Sequence, residues 1–541
     1  MINKRILWIS LIAILTLSFI TACSSDNNNN NNNDNEKQEA DVDVNKEDFP
    51  IVDEELTMTM IAPGTAQSPE WSEMDVLQEY AEKTNIDFKF NTPPADDFGT
   101  NLNLAFSSGD MEDIIYGAET DDLTPAMEVD YGEQGILLPL EDLIDEYAPN
   151  IKELLEENPE IEKSITTTDG HIYALPQISE GHRSIWTSPM WYNGDWLDEL
   201  DVDEVPETTD EFYELLKRFR DEDPNGNGEN DEVPLLDVEM DSIGPWFMSA
   251  FGVKDQKLIE NEGKVSYGAI TDNYKEYLKY MNKLYEEKLL DQETFSQSDE
   301  EKQAKGQNNR VGVFSDYFSY FTTGEDPEEA TNNPMFKPLT SPENDEPIAP
   351  VDDGIQRGTF ALTKDNPSPE ASIRWLDYFY SEEGGAYIDQ GPEGDLWEWN
   401  DDETKRIDKD EDEIPDGYED SEDYRASLTP AYGIAAPYLV QDIEKEEPSV
   451  TDVFTEAETE EKMEPYGEVP FPKVYLTQDE QKEVNTIEMD LESYVEQMEA
   501  KFITGVEPLS NWDDYVETIE GMDIDRYIEI HQDAYDRWEE S

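Results

Sequence analysis

Leu56-Thr57-Met58-Thr59-Met60-Ile61 alternates as a strand, and the chain after it repeats the theme. Trp71 to Lys83 has helical spacing, with Met74, Leu77 and Tyr80 on one face, and Ile86 to Phe90 alternates again. A second helical stretch, Phe98 to Phe106, leads into Asp113-Ile114-Ile115-Tyr116, a short apolar strand. The order β-α-β-α-β requires a parallel sheet with crossover helices. In such sheets the carboxyl ends of the strands border the ligand crevice, so Ala62 to Gln67 and Tyr116 to Glu119 are expected at a rim.

The middle of the chain is helix-rich. Thr208 to Arg220 opens with Thr208 and Glu211 at capping-box spacing and carries Phe212, Leu215, Leu216 and Phe219 on one face. Tyr274, Tyr277, Leu278, Met281, Leu284 and Tyr285 form a similar stripe, which core packing explains better than a ligand box does. Gly358 to Leu362 reads as a brief strand and Ala371 to Tyr380 as a helix. Ile487 to Phe502 and Asp525 to Trp538 read as amphipathic helices separated by a Gly/Pro break at Gly505 and Pro508. The acidic stretch from Asp401 to Asp423 is expected to be a solvent-exposed excursion.

A chain of 541 residues favours two or more lobes, and its aromatic content sets it apart from disordered acidic proteins. The net charge of −96 repels nucleic acid and anionic membrane surfaces. It suits a high-salt medium, where screening suppresses self-repulsion, and so points to a halophile. The single cysteine, Cys23, excludes a disulfide framework. It closes a leader: Lys4 and Arg5 are basic, Ile6 to Ile20 apolar, and Ile20-Thr21-Ala22-Cys23 resembles a bacterial lipobox. That implies cleavage before Cys23, a lipid (palmitate) anchor there, and residence on the extracytoplasmic face of the cell membrane. The asparagine run Asn27 to Asn33 and the charged residues to about Asp48 then read as a flexible leash.

Among so many carboxylates one spacing stands out, Asp223-Pro224-Asn225-Gly226-Asn227-Gly228-Glu229-Asn230-Asp231-Glu232. Counted as an EF-hand-type loop, Asp223, Asn225, Asn227, Glu229 and Asp231 fall at the first, third, fifth, seventh and ninth positions. The twelfth position is Pro234, so Glu232 would have to supply the last carboxylate. Hard oxygen donors favour Ca2+ over zinc or copper. An Asx-rich turn that holds no ion is the competing reading.

Taken together, the leader, this loop and the lobe pattern resemble the extracellular solute-binding lipoproteins of carbohydrate ABC importers (family 1 type). The nearest branch includes the alginate-oligosaccharide binders and the LplA-type lipoproteins. The residues carrying the resemblance include His171-Ile172-Tyr173-Ala174-Leu175-Pro176, Asp195-Trp196-Leu197-Asp198-Glu199-Leu200, Pro206 to Leu235, Phe251-Gly252-Val253, Gly263 to Leu290, Tyr380 to Trp399 and Ala500 to Trp538. The resemblance implies an α/β, two-lobe periplasmic-binding-protein-like (class II) fold with a hinge and extra C-terminal helices. It implies a structural calcium held by Asp223, Asn225, Asn227, Glu229, Asp231 and Glu232. The expected organisation is a signal peptide (1–22), a tether (23–50), one lobe from 51–178 plus 355–425, and a helix-rich lobe carrying the calcium loop from 179–354 plus 426–541. The expected partners are an oligosaccharide and the permease subunits, with the receptor itself a monomer.

Sugar binders use aromatic rings as platforms and polar side chains as hydroxyl partners. Loop position makes Trp71, Trp186, Trp191, Trp246, Tyr317, Trp397 and Trp399 the candidates, and Trp246, after Gly244-Pro245, looks like the family's recurring cleft tryptophan. Arg357 would suit a uronate carboxylate, against the competing reading that local carboxylates occupy it. Glu180 and His182 are candidate hydroxyl partners. The alternatives are a surface-anchored polysaccharide hydrolase or lyase, and a receptor presenting its ligand to a membrane sensor. Only three histidines are present, and no nucleophile, zinc or phosphate-loop motif calls for catalysis.

Overall fold

The computed structural model describes residues 42–180, 188–402, 404–409 and 413–541. All belong to one contact unit, Ala40–Ser541. The strands used below are β1 (Leu56–Ile61), β2 (Ile86–Asn91), β3 (Ile114–Tyr116), β4 (Ala174–Ser179), β5 (Met190–Tyr192), β6 (Val233–Leu236), β7 (Val311–Ser315), β8 (Ile355–Leu362) and β9 (Leu439–Val440). The leader, Cys23 and most of the expected tether lie outside the described residues.

The first sheet has the order β9-β4-β8-β3-β1-β2. β1 pairs in parallel with β2 (Leu56 opposite Ile86) and with β3 (Met60 opposite Ile114), as the β-α-β-α-β pattern requires. The crossover helices are Asp75–Thr84, which ends at left-handed Asn85, and Phe98–Ser108, which ends at Gly109 with φ of 72°. β8 runs antiparallel between β3 and β4, with an irregularity between Gln356 and Phe360. The run of chain at Ile355–Leu362, far along the sequence, thus completes the sheet that the opening stretch begins. Asp113 ties β1 to the start of β3, its Oδ2 accepting from the Thr59 amide at 2.8 Å and hydroxyl at 2.9 Å.

The second sheet is β5-β7-β6, with β5 antiparallel and β6 parallel to β7. Helix Thr209–Asp221 lies close on it, because a Cβ at Gly312 would meet the Phe219 ring at 2.5 Å. Thr208 caps that helix as its spacing predicts, but the Glu211 carboxylate accepts from the Glu207 amide, one residue earlier than a capping box places it.

Two large apolar cores follow the two sheets. The first gathers Met58, Met60, Tyr80, Phe360, Trp375 and Phe379 with the late segment Ala436, Tyr438 and Leu439. The second gathers Trp191, Trp196, Phe212, Trp246, Tyr274 and Phe314 with the C-terminal helices Gln478–Ile503, Trp512–Glu520 and Ile524–Glu540. The acidic excursion is more structured than its composition suggests. Trp397–Trp399 pairs with Arg406–Asp408, and helix Ser421–Leu428 brings Tyr424 and Leu428 against Trp397 in a small core of their own.

Strand direction fixes where the sheets meet. β4 is parallel to β3 and leaves the first sheet at its carboxyl end, and β5 enters the second sheet with Met190 opposite Ser315, the carboxyl end of β7. The chain returns at Gly354, whose carbonyl accepts from the Ser179 amide, again at the carboxyl end of β4. Both crossings therefore join the carboxyl edges of the two sheets, the edges that border ligand crevices in open α/β folds.

Candidate functional site

A groove of about 1400 Å³ lies where these edges meet the crossing segments. Pro125 and Arg357 line it from the first core. Glu239, Asp241, Pro245 and Phe295 line it from the second, and 350–353 and 469–474 run past it. Its cations are already engaged. Lys473 bridges Asp352 and Asp353 and donates to the Ile355 carbonyl at 2.6 Å. Lys257 pairs with Glu492 at 2.7 Å and Lys254 with Glu468 at 2.8 Å. Burial pushes the carboxyl of Glu499, which accepts from the Tyr277 hydroxyl, up to about 7.

Arg357 is 8% exposed and faces inward. Its guanidinium lies 4.5 Å from the centroid of Tyr475, and its Nη1 donates to the carbonyls of Ser164 and Val474. Tyr475 in turn donates at 2.7 Å to Glu128, fully buried on helix Pro125–Glu133. Burial raises the Glu128 carboxyl to about 7, opposed by the Arg357 charge and the Tyr475 hydrogen bond. Arg357, which also lines the groove, thus ties helix Pro125–Glu133 to the segment 474–475, and its Nε has no hydrogen-bond partner among the described residues. Gln478 adds a second tie, donating to Asp130 at 2.9 Å.

Most of the expected aromatic platforms are core residues. Trp246 is fully buried: Gly244-Pro245 opens a helix, Gly244–Ala250, instead of a loop, and the indole donates to the Ser188 carbonyl at 3.2 Å with its ring against Phe336. Trp71 packs against Phe90 and Tyr116. Trp191 donates to the Asp316 carbonyl at 2.8 Å, and Trp397 to that of Gly391 at 2.9 Å. Rings so enclosed offer no free face to a sugar. Trp399 is half-buried, set perpendicular to Trp397. Glu180 is exposed and accepts from Gln441, while Trp186 and His182 lie outside the described residues.

Tyr317 is the exception, 47% exposed just beyond β7. It stands in an aromatic run, Tyr317-Phe318-Ser319-Tyr320-Phe321, of which loop position singled out only the first ring. Phe318 stacks on Tyr320 (5.1 Å, 14°), both rings lie near-perpendicular to Phe321, and Phe321 is also 47% exposed. Rings this dense in a short polar-flanked turn are the signal that would have found it.

In the loop of hard oxygen donors, Asp223 takes φ of 51°, Gly226 66° and Gly228 78°, bending the chain back on itself. The Asp223 carboxylate accepts from the Gly228 amide at 3.1 Å, and the Asn225 and Asn227 carbonyl oxygens accept from the amides of Asn227 and Glu229. Asp231 accepts from Asn227 at 2.8 Å and pairs with Arg310 at 2.9 Å. Burial, with Asp231 and Asp223 nearby, raises the Glu232 carboxyl, and its Oε1 has no hydrogen-bond partner among the described residues. No cage of three His, Cys, Asp or Glu side chains is assembled among the described residues.

Two sheets with facing carboxyl edges, discontinuous cores and a groove between them define a two-lobe α/β binding protein. The profile of the bacterial extracellular solute-binding protein family matches residues 65–386, and the chain belongs to that family. It is 29% identical over 514 residues to the fructooligosaccharide ABC transporter substrate-binding protein FusA of Streptococcus pneumoniae, covering 91% of this chain and 92% of FusA. The structure of FusA in complex with kestose superposes with a TM-score of 0.72 at 27% identity, over 89% of this chain and 99% of FusA's. That of a FusA EF-hand mutant in complex with fructo-nystose gives 0.72 at 26%. The alginate-binding protein AlgQ2 without calcium ion shares the fold, with a TM-score of 0.66 at 21% identity over 90% of this chain and 98% of AlgQ2. The chain is a solute-binding protein and not an enzyme, which sets aside the hydrolase and lyase alternatives.

Proposed function

We propose that the protein captures an oligosaccharide between its lobes and delivers it to the permease of an ABC importer. The likeness to FusA along nearly the whole of both chains carries this reading. Contacts to both lobes favour a closed form over an open one, and the permease reads the closed form. The late segment 431–439 packs with the first core, so we place the last lobe crossing after it, beyond Val440. The lipobox supports export and anchoring through Cys23, and the charge of −96 supports a salt-rich habitat.

The loop from Asp223 to Glu232 suits a structural calcium. Its side-chain donors are oxygens, and the orphaned buried Oε1 of Glu232, whose carboxyl is raised by burial and by the charges of Asp231 and Asp223, is what a cation would relieve. Asp223, Asn225, Asn227, Asp231 and Glu232 would hold it by side chains and Glu229 by its carbonyl. The ion would supply positive charge that fixes the loop.

Calorimetric titration with kestose, nystose and other saccharides tests the central reading. Saturable binding without release of new reducing ends is expected. Failure of every saccharide, or turnover of one, would count against it.

A further inference from the structure

We propose that Lys163 and the carboxyl end of the last helix form a counter-latch behind the lobe crossings, which opposes closure and so limits how tightly the receptor holds its oligosaccharide. The proposal rests on the oligosaccharide-receptor reading and adds to it a positioning residue remote from the groove.

The contact joins the two cores. Lys163 stands on helix Pro159–Ile165, whose Ile161 and Ile165 are buried in the first core. Its Nζ donates to the carbonyls of Trp538 at 3.3 Å and Glu539 at 3.4 Å, and lies 5.4 Å from the centroid of the Trp538 ring. Both carbonyls belong to the last turn of helix Ile524–Glu540, where carbonyls have no intrahelical amide to bond them and the helix dipole is negative. A lysine reaching in from the other lobe suits that end on both counts. The same turn is fixed on its own side, because the Arg537 guanidinium donates to the two Glu480 oxygens at 2.9 and 2.7 Å. Glu480 lies in the first turn of helix Gln478–Ile503, whose Val484, Ile487 and Leu491 are in the second core. A pull on Lys163 is therefore a pull between the lobes.

Position gives the contact its sign. Trp538 and Glu539 line a second cavity, of about 660 Å³, which Ser164 and Ile355 line from the first core. Asp353, Val469 and Pro472 line both this cavity and the groove, so the crossing segments run between the two. Lys473 holds those segments together through Asp352, Asp353 and the Ile355 carbonyl. Rotation of the lobes about them narrows one cavity as it widens the other. At about 1400 Å³ the groove exceeds the roughly 300–1,000 Å³ in which small ligands are enclosed, so closing on a sugar narrows it. The second cavity then widens and draws Lys163 off the helix end. Free energy lost there is subtracted from what the ligand gains by touching both lobes.

The test is calorimetry of the full soluble chain with nystose, beside small-angle X-ray scattering of the same samples. Lys163→Met keeps the aliphatic stem and removes the charge and its donors. It should tighten nystose binding by about threefold or more, the scale of a half-exposed cation contact. Its ligand-free radius of gyration should fall towards the saturated value, and the saturated value should match the parent's. Lys163→Arg, which keeps charge and donors, should bind within about twofold of the parent. A lysine that only stabilised the fold would change Tm without tightening binding. Unchanged or weaker binding by Lys163→Met, or equal gains in Lys163→Met and Lys163→Arg, would overturn the counter-latch. If the parent bound no saccharide, the receptor reading would fall, while ligand-free scattering would still decide the latch: a radius unaltered by Lys163→Met overturns it.

Discussion

At the scale of single residues, burial decides what the sequence leaves open. Trp246 follows Gly244-Pro245, a pair that reads as a loop, but proline at the start of a helix is equally natural because its missing amide has no intrahelical partner there. The indole is consequently a core element. Trp246→Ala should cost about 3–5 kcal/mol, typical of large-to-small core truncation, read as a fall in the denaturant midpoint. A variant of parental stability with weakened sugar binding would restore the cleft role. Glu128 was invisible in a chain so rich in acids; only its enclosure beside Tyr475 and Arg357 marks it. Because folding raises its carboxyl from 4.5 to about 7, the native state keeps a proton that the unfolded chain has lost across that interval. This group's contribution therefore makes stability fall as pH rises from about 4.5 to 7. Glu499, raised to about 7, and Asp377, raised to about 6, act in the same sense. Glu128→Gln should therefore reduce the loss of Tm between pH 5 and pH 8 without abolishing it. An unaltered pH profile would show that Glu128 does not titrate as its burial dictates.

At the scale of elements, apolar periodicity was the most legible signal. The strand Leu56–Ile61 and the helices Gln478–Ile503 and Ile524–Glu540 follow spacings visible in the chain, because one face of each must reach a core. Pairing at long range was less legible. Gly358 to Leu362 shows as a fragment, while the full strand Ile355–Leu362 owes its first residues to partners in β4. Of the aromatic turn 317–321 only Tyr317 was legible, because a sequence shows that rings are close together but not which of them stay exposed, as Phe321 also does. The oxygen-rich loop makes its own prediction. Calcium at about 100 times its Kd should stabilise the parent by about 2.7 kcal/mol, seen as a rise in Tm over a chelator-treated sample. Asp223→Ala combined with Asp231→Ala should lose that rise and keep its sugar affinity. A parent whose Tm ignores calcium would favour the ion-free turn.

Across the whole molecule, charge and connectivity set the behaviour. With 133 acids against 37 bases, self-repulsion opposes the compact state and is screened as the Debye length shrinks from about 10 Å at 0.1 M salt to about 3 Å at 1 M. Tm should rise markedly between those concentrations, and a flat or falling profile would contradict the salt-rich habitat. The proposed capture follows from connectivity: both main crossings run at the carboxyl edges, so a ligand that touched the two lobes would couple its binding to their closure. The most direct test of that coupling is small-angle X-ray scattering of the soluble chain with and without nystose, at a concentration where calorimetry shows saturation. A saturating oligosaccharide should reduce the radius of gyration. Saturation by nystose with no change in the scattering profile would contradict capture by closure of the two lobes.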